Sequence, residues 1–491
     1  MSPPQAPQTT QAVPAQETSK RSTRELSPDS RLVALIVASA FFMQLLDSSI
    51  IATSLPQMAL SFGVQPLEMS VGITVYMLTV AVFMPLSGWM ADRFGARNVF
   101  LLAILIFTLA SLGCGLSQNL SQFVLTRAMQ GLGASMMTPV GRIVVLRQAE
   151  KSELVHAIAL ISWPALFAPV IGPLLGGFIT TYASWRWNFF INVPLGAIGI
   201  FLVSRFIPNH RDAAQPALDV KGFVLSALGM AGLLYGLESF VHAHGTYATP
   251  ALLVIAGSVI GFFAIRHLHR AARPLLDLST FRVPTFAIST LSAGTYFRLS
   301  INATPFLLPL FFQLGFGMTA LAAGAYVLAY FAGNLGMKTI TTPTLRRFGF
   351  RRVLVVNGII AALSIMACAA FTKSTPEYLV VAILVLAGLT RSMQFTALST
   401  LAFADITTAQ RSSSSTLSSM LQQVAMLLGV AVAAAVLNIS QRLHGTPILL
   451  LDDFRAAFIV IGLIALVSSF SFLRLDADAG AEVSGHRPAA A

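Results

Sequence analysis

Charged side chains are scarce in this sequence of 491 residues, in which Asp, Glu, Lys and Arg make up 10% and apolar residues 55%. A water-soluble domain carries about a quarter charged residues, so the composition excludes that class. Mean hydropathy is +0.76. We predict an all-α integral membrane protein with fourteen apolar segments of spanning length. These lie near residues 32–55, 70–91, 98–117, 122–146, 154–181, 187–207, 220–241, 250–266, 285–312, 320–342, 352–371, 378–404, 413–440 and 454–473.

Several chemical motifs are also missing, and each absence excludes a class of function. No Gly-x-x-x-x-Gly-Lys-Ser/Thr run occurs, so a P-loop for ATP is excluded and a proton gradient is the expected energy source. Cys and His do not occur at metal-ligand spacing, and the sequence offers no nucleophile–base set. We therefore expect no metal, no cofactor and no enzyme activity. The two cysteines, Cys114 and Cys368, lie in apolar segments, which favours core packing over a disulfide.

The net charge of +12 is explained by where the basic residues lie. Most of the 31 Lys and Arg residues fall in connections on one side of the membrane, if the chain crosses it fourteen times. By the positive-inside rule that side is the cytoplasm, and it holds both termini. The basic surface then faces anionic lipid headgroups of the bilayer, and we expect no nucleic-acid partner. We predict a disordered cytoplasmic tail at residues 1–30 and a second cytoplasmic tail at 475–491.

A charged loop occurs twice and divides the chain into two halves. The loop at 88–97 reads Gly-Trp-Met-Ala-Asp-Arg-Phe-Gly-Ala-Arg, and its Arg-Phe-Gly-x-Arg core returns 254 residues later at 347–351. The Arg-Ala-Met-Gln run at 127–130 is similarly echoed by Arg-Ser-Met-Gln at 391–394. Secondary transporters are commonly built from two such halves around a central site. We predict six spans, an inserted pair and six more spans, over residues 31–208, 209–284 and 285–474.

Five motifs along the chain resemble those of one transporter family. The loop at 88–97 resembles the loop between helices 2 and 3 of the major facilitator superfamily. Arg127 with Gln-Gly-Leu-Gly at 130–133 resembles the helix-4 motif of that superfamily. Three further segments are similar to motifs of its fourteen-helix drug:proton antiporters of the EmrB/QacA type, and within that group the sequence is most similar to MdtD-type exporters. These segments are 46–56, 172–177 and 184–196.

The resemblance implies the major facilitator fold, proton-driven export of small molecules, a bacterial inner-membrane location and a monomer. The sequence departs from the family pattern at two positions. The Gly that usually begins the helix-5 motif is Ala168, which is small enough to keep helices close. Arg346 stands where Asp92 stands in the first half, so a charge relay built on Asp92 exists in the N-terminal half alone.

Asp47 is the leading candidate for proton coupling, because a carboxylate at membrane depth is costly and marks a functional site. It lies about 16 residues, or roughly 24 Å, into the first span. Arg127 enters the fourth span from the opposite side and reaches a similar depth. The resemblance makes Arg127 part of proton coupling. A structural ion pair that fixes the first helix is the alternative for Asp47, and a helix cap is the alternative for Arg127.

Two further arginines, Arg298 and Arg391, occupy the corresponding region of the second half. A buried cation there repels cationic drugs unless an acid pairs with it, and it favours anionic substrates. Substrate contact and structural pairing both stay open for these residues. Uncharged polar residues at membrane depth either line a cavity or bond neighbouring helices. The predicted cavity set is Gln44, Arg298, Asn302, Gln313, Asn334, Arg391 and Gln394.

Two motifs are expected to serve movement rather than binding. The loop at 88–97 suits a gate that contacts the opposite half in one transport state. The alternative is a positively charged loop that serves only to set the orientation of the chain in the membrane. The helix-5 motif supplies small residues where backbones approach closely, and a proline that kinks the helix. The gate residues are Gly88, Asp92, Arg93, Gly95 and Arg97, and those of helix 5 are Gly172, Pro173, Gly176 and Gly177.

Together these features predict a proton-coupled antiporter that exports drugs or other amphipathic small molecules by alternating access. The nearest alternative is an exporter of narrow specificity for anionic metabolites or iron–carboxylate chelates. A non-transporting membrane sensor is a third hypothesis, and it is disfavoured because neither tail is long enough for a soluble output domain. A fold of this kind does not by itself identify the substrate.

Overall fold

The computed structural model describes residues 27–148, 154–208, 217–242, 248–271, 274–407, 410–446, 448–484 and 486. Across these residues the regular structure is helical, without β-strands, which confirms the predicted all-α class. Backbone amides in a hydrocarbon environment must be satisfied within the chain, and helices achieve this locally.

Eight helices form the N-terminal half. α1 packs lengthwise against α6, while α4 packs against α5 and α8, so that α1, α5 and α8 meet inside this half. The bounds are α1 Pro28–Phe62, α2 Ser70–Phe83, α3 Leu86–Phe94, α4 Ala96–Leu116, α5 Leu120–Gln148, α6 Leu154–Tyr182, α7 Trp187–Phe190 and α8 Asn192–Phe206.

The inserted pair consists of α9 (Val220–His242) and α10 (Ala248–Arg270), which pack tightly on each other. Glycine makes this contact possible, because a Cβ on Gly257 would lie 2.2 Å from the Leu233 nitrogen. At the base of the pair, Asp219 accepts a hydrogen bond from the Gly222 N–H and lies 2.8 Å from His267 Nε2. Burial acts to raise the pKa of Asp219, but these partners outweigh it and hold the pKa below its usual value.

The C-terminal half repeats the arrangement of the first. α12 packs against α16 and α17, and α14 packs against α15 and α17. α9 of the inserted pair contacts α2 of the first half and α16 of the second. The bounds are α11 Pro284–Thr290, α12 Ala293–Leu310, α13 Ala320–Gly336, α14 Lys338–Ala367, α15 Glu377–Leu401, α16 Arg411–His444, α17 Leu451–Ser471 and α18 Ala481–Ser484.

The internal repeat is visible in the backbone as well as in the sequence. α2 and α3 are two parts of one path, bent by 58° at Met84 and Pro85. α13 and α14 are likewise separated at Met337. Each path then turns at a glycine with positive φ, +89° at Gly95 and +74° at Gly349. A residue with a Cβ is strained in that conformation, so the turn explains the glycine of both charged loops.

All fourteen predicted apolar segments coincide with helices of the structure. Nine of the described helices are long and apolar enough to cross a membrane, and the bent α2–α3 pair brings the number to ten. Three of the remaining predicted spans, α5, α12 and α13, are less apolar or shorter for a visible reason. α5 carries Arg127, Arg142 and Arg147, and breaks near Leu291 and Met337 shorten α12 and α13. Fourteen spans, and the boundaries of the three parts, stay predictions.

The predicted tails differ in part from the structure. Residues 1–26 lie outside the described residues, but α1 begins at Pro28, before the predicted boundary at residue 30. The Ser27 side chain accepts from the Ser30 N–H and caps the helix, which explains the earlier start. Near the other terminus, α18 packs on α14, and His486 Nδ1 lies 3.1 Å from the Arg346 carbonyl oxygen. Residues 485 and 487–491 lie outside the described ranges.

The two halves are joined at the end of the bundle where α1 and α12 finish. Gln313 Nε2 donates to the Thr53 carbonyl oxygen at 2.9 Å, and Gln57 Nε2 donates to Gln313 Oε1 at 3.3 Å. Gln313 lies in a π-helical turn, Phe311–Gly315, which follows α12 directly. Such turns reorient a side chain within a helix, and here the side chain reaches α1 of the other half.

Candidate functional site

Asp47 lies in the interior of the N-terminal half, on α1, with 3% of its surface exposed. Arg127 of α5 approaches it from the facing helix and places Nη1 2.8 Å from Asp47 Oδ2. Both side chains are 1% exposed, so this ion pair is shielded from solvent. The similar depth predicted for the two residues thus corresponds to direct contact between them.

Two amide side chains complete the surroundings of the carboxylate. Gln130 Nε2 and Asn192 Nδ2 each donate to Asp47 Oδ1 at 2.9 Å. Gln130 also donates to Ser111 Oγ at 2.7 Å and accepts from Arg127 Nη1 at 2.6 Å. Helices α1, α5 and α8 therefore meet at one carboxylate, Ser111 of α4 holds Gln130 from behind, and each oxygen of the carboxylate has at least one donor.

The arginine of the pair is held from a further helix, α2. Arg127 Nε donates to the Gly72 carbonyl oxygen at 3.3 Å, and its Cζ lies 4.2 Å from the centre of the Tyr76 ring. Burying two charges is expensive, and the cost is offset when hydrogen bonds satisfy the remaining polar atoms. Protonation of Asp47 removes one of the two charges and leaves Arg127 as a buried cation. The site can therefore couple a proton to the packing of five helices.

Arg298, on α12 of the C-terminal half, has no such partner. Its side chain is 1% exposed, and Nη1 donates to the Ser289 carbonyl oxygen near the end of α11. Nε and Nη2 are buried without a hydrogen-bond partner, and no described carboxylate lies within ion-pair distance. A cation at the carboxyl end of a helix is favourable, which explains one contact. The other two nitrogens, Nε and Nη2, are left with unsatisfied N–H groups in the interior.

Arg391 on α15 is half-buried and lies beside aromatic rings. Its Cζ is 5.9 Å from the centre of the Tyr330 ring and 5.5 Å from that of Phe331. Its Nε is buried without a partner. As with Arg298, no acid pairs with it among the residues that the structure describes.

Arg391 matches Arg127 in the sequence repeat, but the two residues do not occupy equivalent positions in the two halves of the structure. A Cβ on Gly131 would lie 2.6 Å from the Tyr76 carbonyl oxygen, and one on Gly388 would lie 1.8 Å from that of Tyr330. Gly388 therefore occupies the place of Gly131. Arg391 then lies about two helical turns beyond the position of Arg127. The two arginines share a helix face but differ in depth.

The other predicted cavity residues divide into three groups. Gln44 donates to the Ala134 carbonyl oxygen at 3.4 Å, and Gln394 donates to that of Leu354 at 3.0 Å, so both amides bond within their own half. Gln313 joins the halves at their closed end. The third group is Asn302 and Asn334, which are partly exposed, whereas the three glutamines are buried.

The predicted gate residues lie around the turn between α3 and α4. Asp92 pairs with Arg147 of α5, with Oδ1 and Nη2 3.1 Å apart, and Arg97 Nη2 donates to the Ser204 carbonyl oxygen of α8. Arg93 lies over the Trp89 ring, with Cζ 5.8 Å from the ring centre. Gly88 has open space around it, because a Cβ there would meet nothing within 4 Å, and Gly95 supplies the positive φ described above.

The helix-5 residues pack α6 against two neighbours. A Cβ on Gly172 would meet the Ser49 side chain, and one on Gly176 would lie 2.9 Å from the Ile50 carbonyl oxygen of α1. The opposite face contacts α13 of the other half, where Gly177 approaches Ala320. The Pro173 carbonyl oxygen would lie 2.5 Å from a Cβ on Gly324. These residues therefore set backbone distances, as the sequence predicts.

The sequence interpretation did not assign four members of the Asp47 cluster to the site: Ser111, Tyr76, Gln130 and Asn192. Asn192 lies in the segment 184–196 that carries a family motif, so its signal was present. Asn188 lies in the same segment, but its Nδ2 bonds Ser54 and Thr180 instead. Sequence position alone does not separate these two asparagines, because the break between α7 and α8 decides where each points.

Comparison with known proteins places this architecture in a family. The family model described as Major Facilitator Superfamily matches residues 37–430 and 286–490. The chain belongs to the major facilitator superfamily. It is therefore a multi-pass membrane transporter and not an enzyme.

Individual relatives agree with this assignment. "Putative multidrug resistance protein MdtD" of Salmonella paratyphi A is 37% identical over 420 residues, which cover 86% of this chain and 89% of the relative. Two solved structures share the fold. The POT family transporter PepTSo has a TM-score of 0.66 and 14% identity, covering 93% of this chain and 98% of its own. The human organic anion transporter MFSD10 has a TM-score of 0.61 and 16% identity, covering 91% and 100%.

Proposed function

We propose that this protein is a proton-coupled antiporter that exports drugs or other amphipathic small molecules across a bacterial inner membrane. The observation that carries the proposal is the buried Asp47–Arg127 pair, in which both carboxylate oxygens accept hydrogen bonds. An ionisable pair at membrane depth marks a proton or ion pathway by default. The resistance function named for the relatives supports export as its direction.

We further propose that both termini face the cytoplasm and that the protein acts as a monomer. The excess of Lys and Arg in the connections on that side supports this orientation. The end joined by Gln313 and Thr53 would then face the periplasm, and a closed periplasmic end is what an inward-facing state requires. Alternating access follows if the halves separate at this end and close at the other.

Proton exchange would drive this alternation through Asp47. A proton taken from the periplasm neutralises the carboxylate, weakens its attraction to Arg127 and favours return to the inward-facing state. Release of the proton to the cytoplasm restores the pair while substrate is loaded. The loop from 88 to 97 would contact the opposite half when the cytoplasmic end closes.

The test is Asp47→Asn in proteoliposomes with an imposed pH gradient. Asparagine keeps the shape and some hydrogen bonds but cannot exchange a proton, so we expect loss of pH-driven counter-transport with normal folding. Asp452→Asn is the matched control, because that carboxylate is exposed and pairs with Arg455 at the surface. Full retention of proton-coupled efflux in Asp47→Asn would refute the assignment.

Arg298 supports a second candidate function, narrow export of anionic metabolites or metal–carboxylate chelates. Its two unpartnered nitrogens lie in a half without a compensating acid among the described residues. Scanning cationic dyes against tricarboxylate anions for triggered proton flux separates the candidates. If anions are the substrates, Arg298→Ala raises their apparent KM, and the surface variant Arg455→Ala leaves it unchanged. Flux triggered by cations alone excludes this candidate.

A further inference from the structure

Asn192 differs from the other polar groups around Asp47 in one respect: its Oδ1 is buried without a partner. The residue itself is completely buried, and its Nδ2 donates to Asp47 Oδ1 at 2.9 Å. A buried carbonyl oxygen without a donor is costly, so this orientation of the amide needs a reason. An ionised carboxylate supplies it, because it accepts hydrogen bonds and cannot donate one.

A protonated Asp47 needs an acceptor, and its neighbours offer few. Gln130 Oε1 already accepts from Arg127 at 2.6 Å. Ser111 Oγ accepts from Gln130 and donates to the Phe107 carbonyl oxygen at 2.8 Å. Among the groups bonded directly to Asp47, Asn192 thus carries the acceptor that has no partner.

We propose that the Asn192 amide turns over when Asp47 takes up its proton. In this step the proton binds Asp47 Oδ1, the amide rotates about its Cβ–Cγ bond, and Asn192 Oδ1 accepts from the new O–H. Asp47 Oδ2 continues to accept from Arg127 Nη1. No covalent bond other than the O–H changes. The inference rests on the proposed function, because it assigns a positioning role in the proton exchange at Asp47.

The surroundings allow both orientations. The second polar contact of the amide is Ser111 Oγ, which lies 3.4 Å from Asn192 Nδ2. A hydroxyl group can donate or accept, so Ser111 suits either face of the amide, its O–H turning from the Phe107 carbonyl oxygen to Asn192 Oδ1 after the turnover. Charged and titratable groups around the cluster are Arg127 on α5, Tyr76 on α2 and Cys114 on α4.

When the Asn192 amide turns over, the atom that points away from Asp47 at the start of α8 changes. The unpartnered group at that place is a carbonyl oxygen while Asp47 is ionised, and it becomes an NH₂ once Asp47 is protonated. Asn192 is the first residue of α8, so the reversal occurs where α7 and α8 are joined. The amide therefore transmits the charge state of Asp47 on α1 to the start of α8.

Difference infrared spectroscopy of the full chain in lipid nanodiscs, between neutral and acidic pH, tests this inference. We expect a carboxyl band on acidification that is absent in Asp47→Asn. We expect a side-chain amide band, identified by ¹³C,¹⁵N-asparagine labelling, that changes together with it. The amide change should be lost in Asn192→Leu and retained in Asn188→Leu. Asn188 is a matched control because its Oδ1 is also unpartnered, while its Nδ2 bonds Ser54.

Transport gives a second readout, and its serine variant keeps the inference testable if the leucine variant does not fold: loss of proton-coupled transport in a folded Asn192→Ser also overturns it. Asn192→Ser can donate to the carboxylate and accept from the acid by rotating its hydroxyl, so we expect it to retain proton-coupled transport. Asn192→Leu can do neither, and we expect about a tenfold or greater loss of rate. Equal transport by the leucine and serine variants overturns the inference.

The spectra distinguish the failure of this inference from that of the proposed function. A carboxyl band from Asp47 without an amide change at Asn192 overturns the amide turnover and leaves proton exchange intact. Absence of an Asp47 carboxyl band across the pH range overturns both.

Discussion

The two halves of the molecule share a backbone plan and differ in their buried charges. In the N-terminal half, Asp47 and Arg127 form a pair whose polar atoms are bonded by residues of α1, α2, α5 and α8. In the C-terminal half, Arg298 and Arg391 lie at membrane depth, and no acid of the described residues lies within ion-pair distance of either. The turns at Gly95 and Gly349 keep the same positive φ in both. Backbone geometry was thus retained while side-chain chemistry diverged.

This difference suggests a division of labour. The Asp47–Arg127 pair is neutral while Asp47 is ionised and carries one positive charge once Asp47 is protonated, which suits proton exchange. Buried cations with unused donors attract an anion or repel a cation, which suits selection of a substrate. We therefore expect mutations in the first half to affect coupling, and those in the second to affect apparent affinity.

The largest expected effect comes from Arg127→Met. Removing one partner leaves the Asp47 carboxylate buried without its cation, and we expect destabilisation by about 3–5 kcal/mol together with loss of transport. Thermal unfolding in detergent measures the first effect. The double variant Asp47→Asn with Arg127→Met should recover part of the loss, because no charge then remains. Unfolding of Arg127→Met at the wild-type temperature would contradict the interpretation of the pair.

Arg298→Met should behave in the opposite way. This arginine has no acid to leave behind, and its removal abolishes the cost of burying a cation. We expect an unfolding temperature equal to or above that of the wild type, although one hydrogen bond to Ser289 is lost. A destabilisation as large as that of Arg127→Met would show that Arg298 has a partner of equal importance, and the contrast between the halves would fail.

A smaller effect is expected where the halves touch. A Cβ on Gly177 would lie 2.4 Å from the Ala320 carbonyl oxygen, so Gly177→Ala pushes α6 away from α13. Overpacking of this kind costs about 1–3 kcal/mol and should favour separation at the closed end. Faster labelling of Gln57→Cys by a thiol reagent reports it, and the native Cys114 and Cys368 are buried. Gly88→Ala is the control; equal labelling in both variants would contradict the expectation.

Sequence reasoning was most successful where one physical rule dominates. Long apolar segments predicted the helices, because helices alone satisfy the backbone within lipid. The cost of a carboxylate at depth singled out Asp47, helix rise gave Arg127 a similar depth, and the structure brings the two side chains into contact. The repeated Arg-Phe-Gly core marked two positions where the structure turns at a glycine with positive φ.

It was least successful where two residues share a local pattern. The match between 127–130 and 391–394 misplaced Arg391 by about two turns, since a shift of seven residues keeps the helix face and changes only depth. Asn188 and Asn192 look alike in the sequence, yet Asn192 alone reaches Asp47. Gln394 has the polarity of a cavity residue, but its amide is used between α14 and α15. Such distinctions depend on tertiary contacts.

The position of the inserted helix α9 has a kinetic consequence. Its Phe223 ring lies 5.9 Å from that of Phe83 on α2, while Met230 packs in a cluster that includes Leu417 of α16. If the halves rotate against each other, α9 cannot move with both of them. Either its apolar contact with α2 or its apolar contact with α16 must then slide. Sliding adds friction to the rotation without favouring either end state. The surface of α9 would then limit the number of cycles per second, independently of how tightly substrate or proton binds.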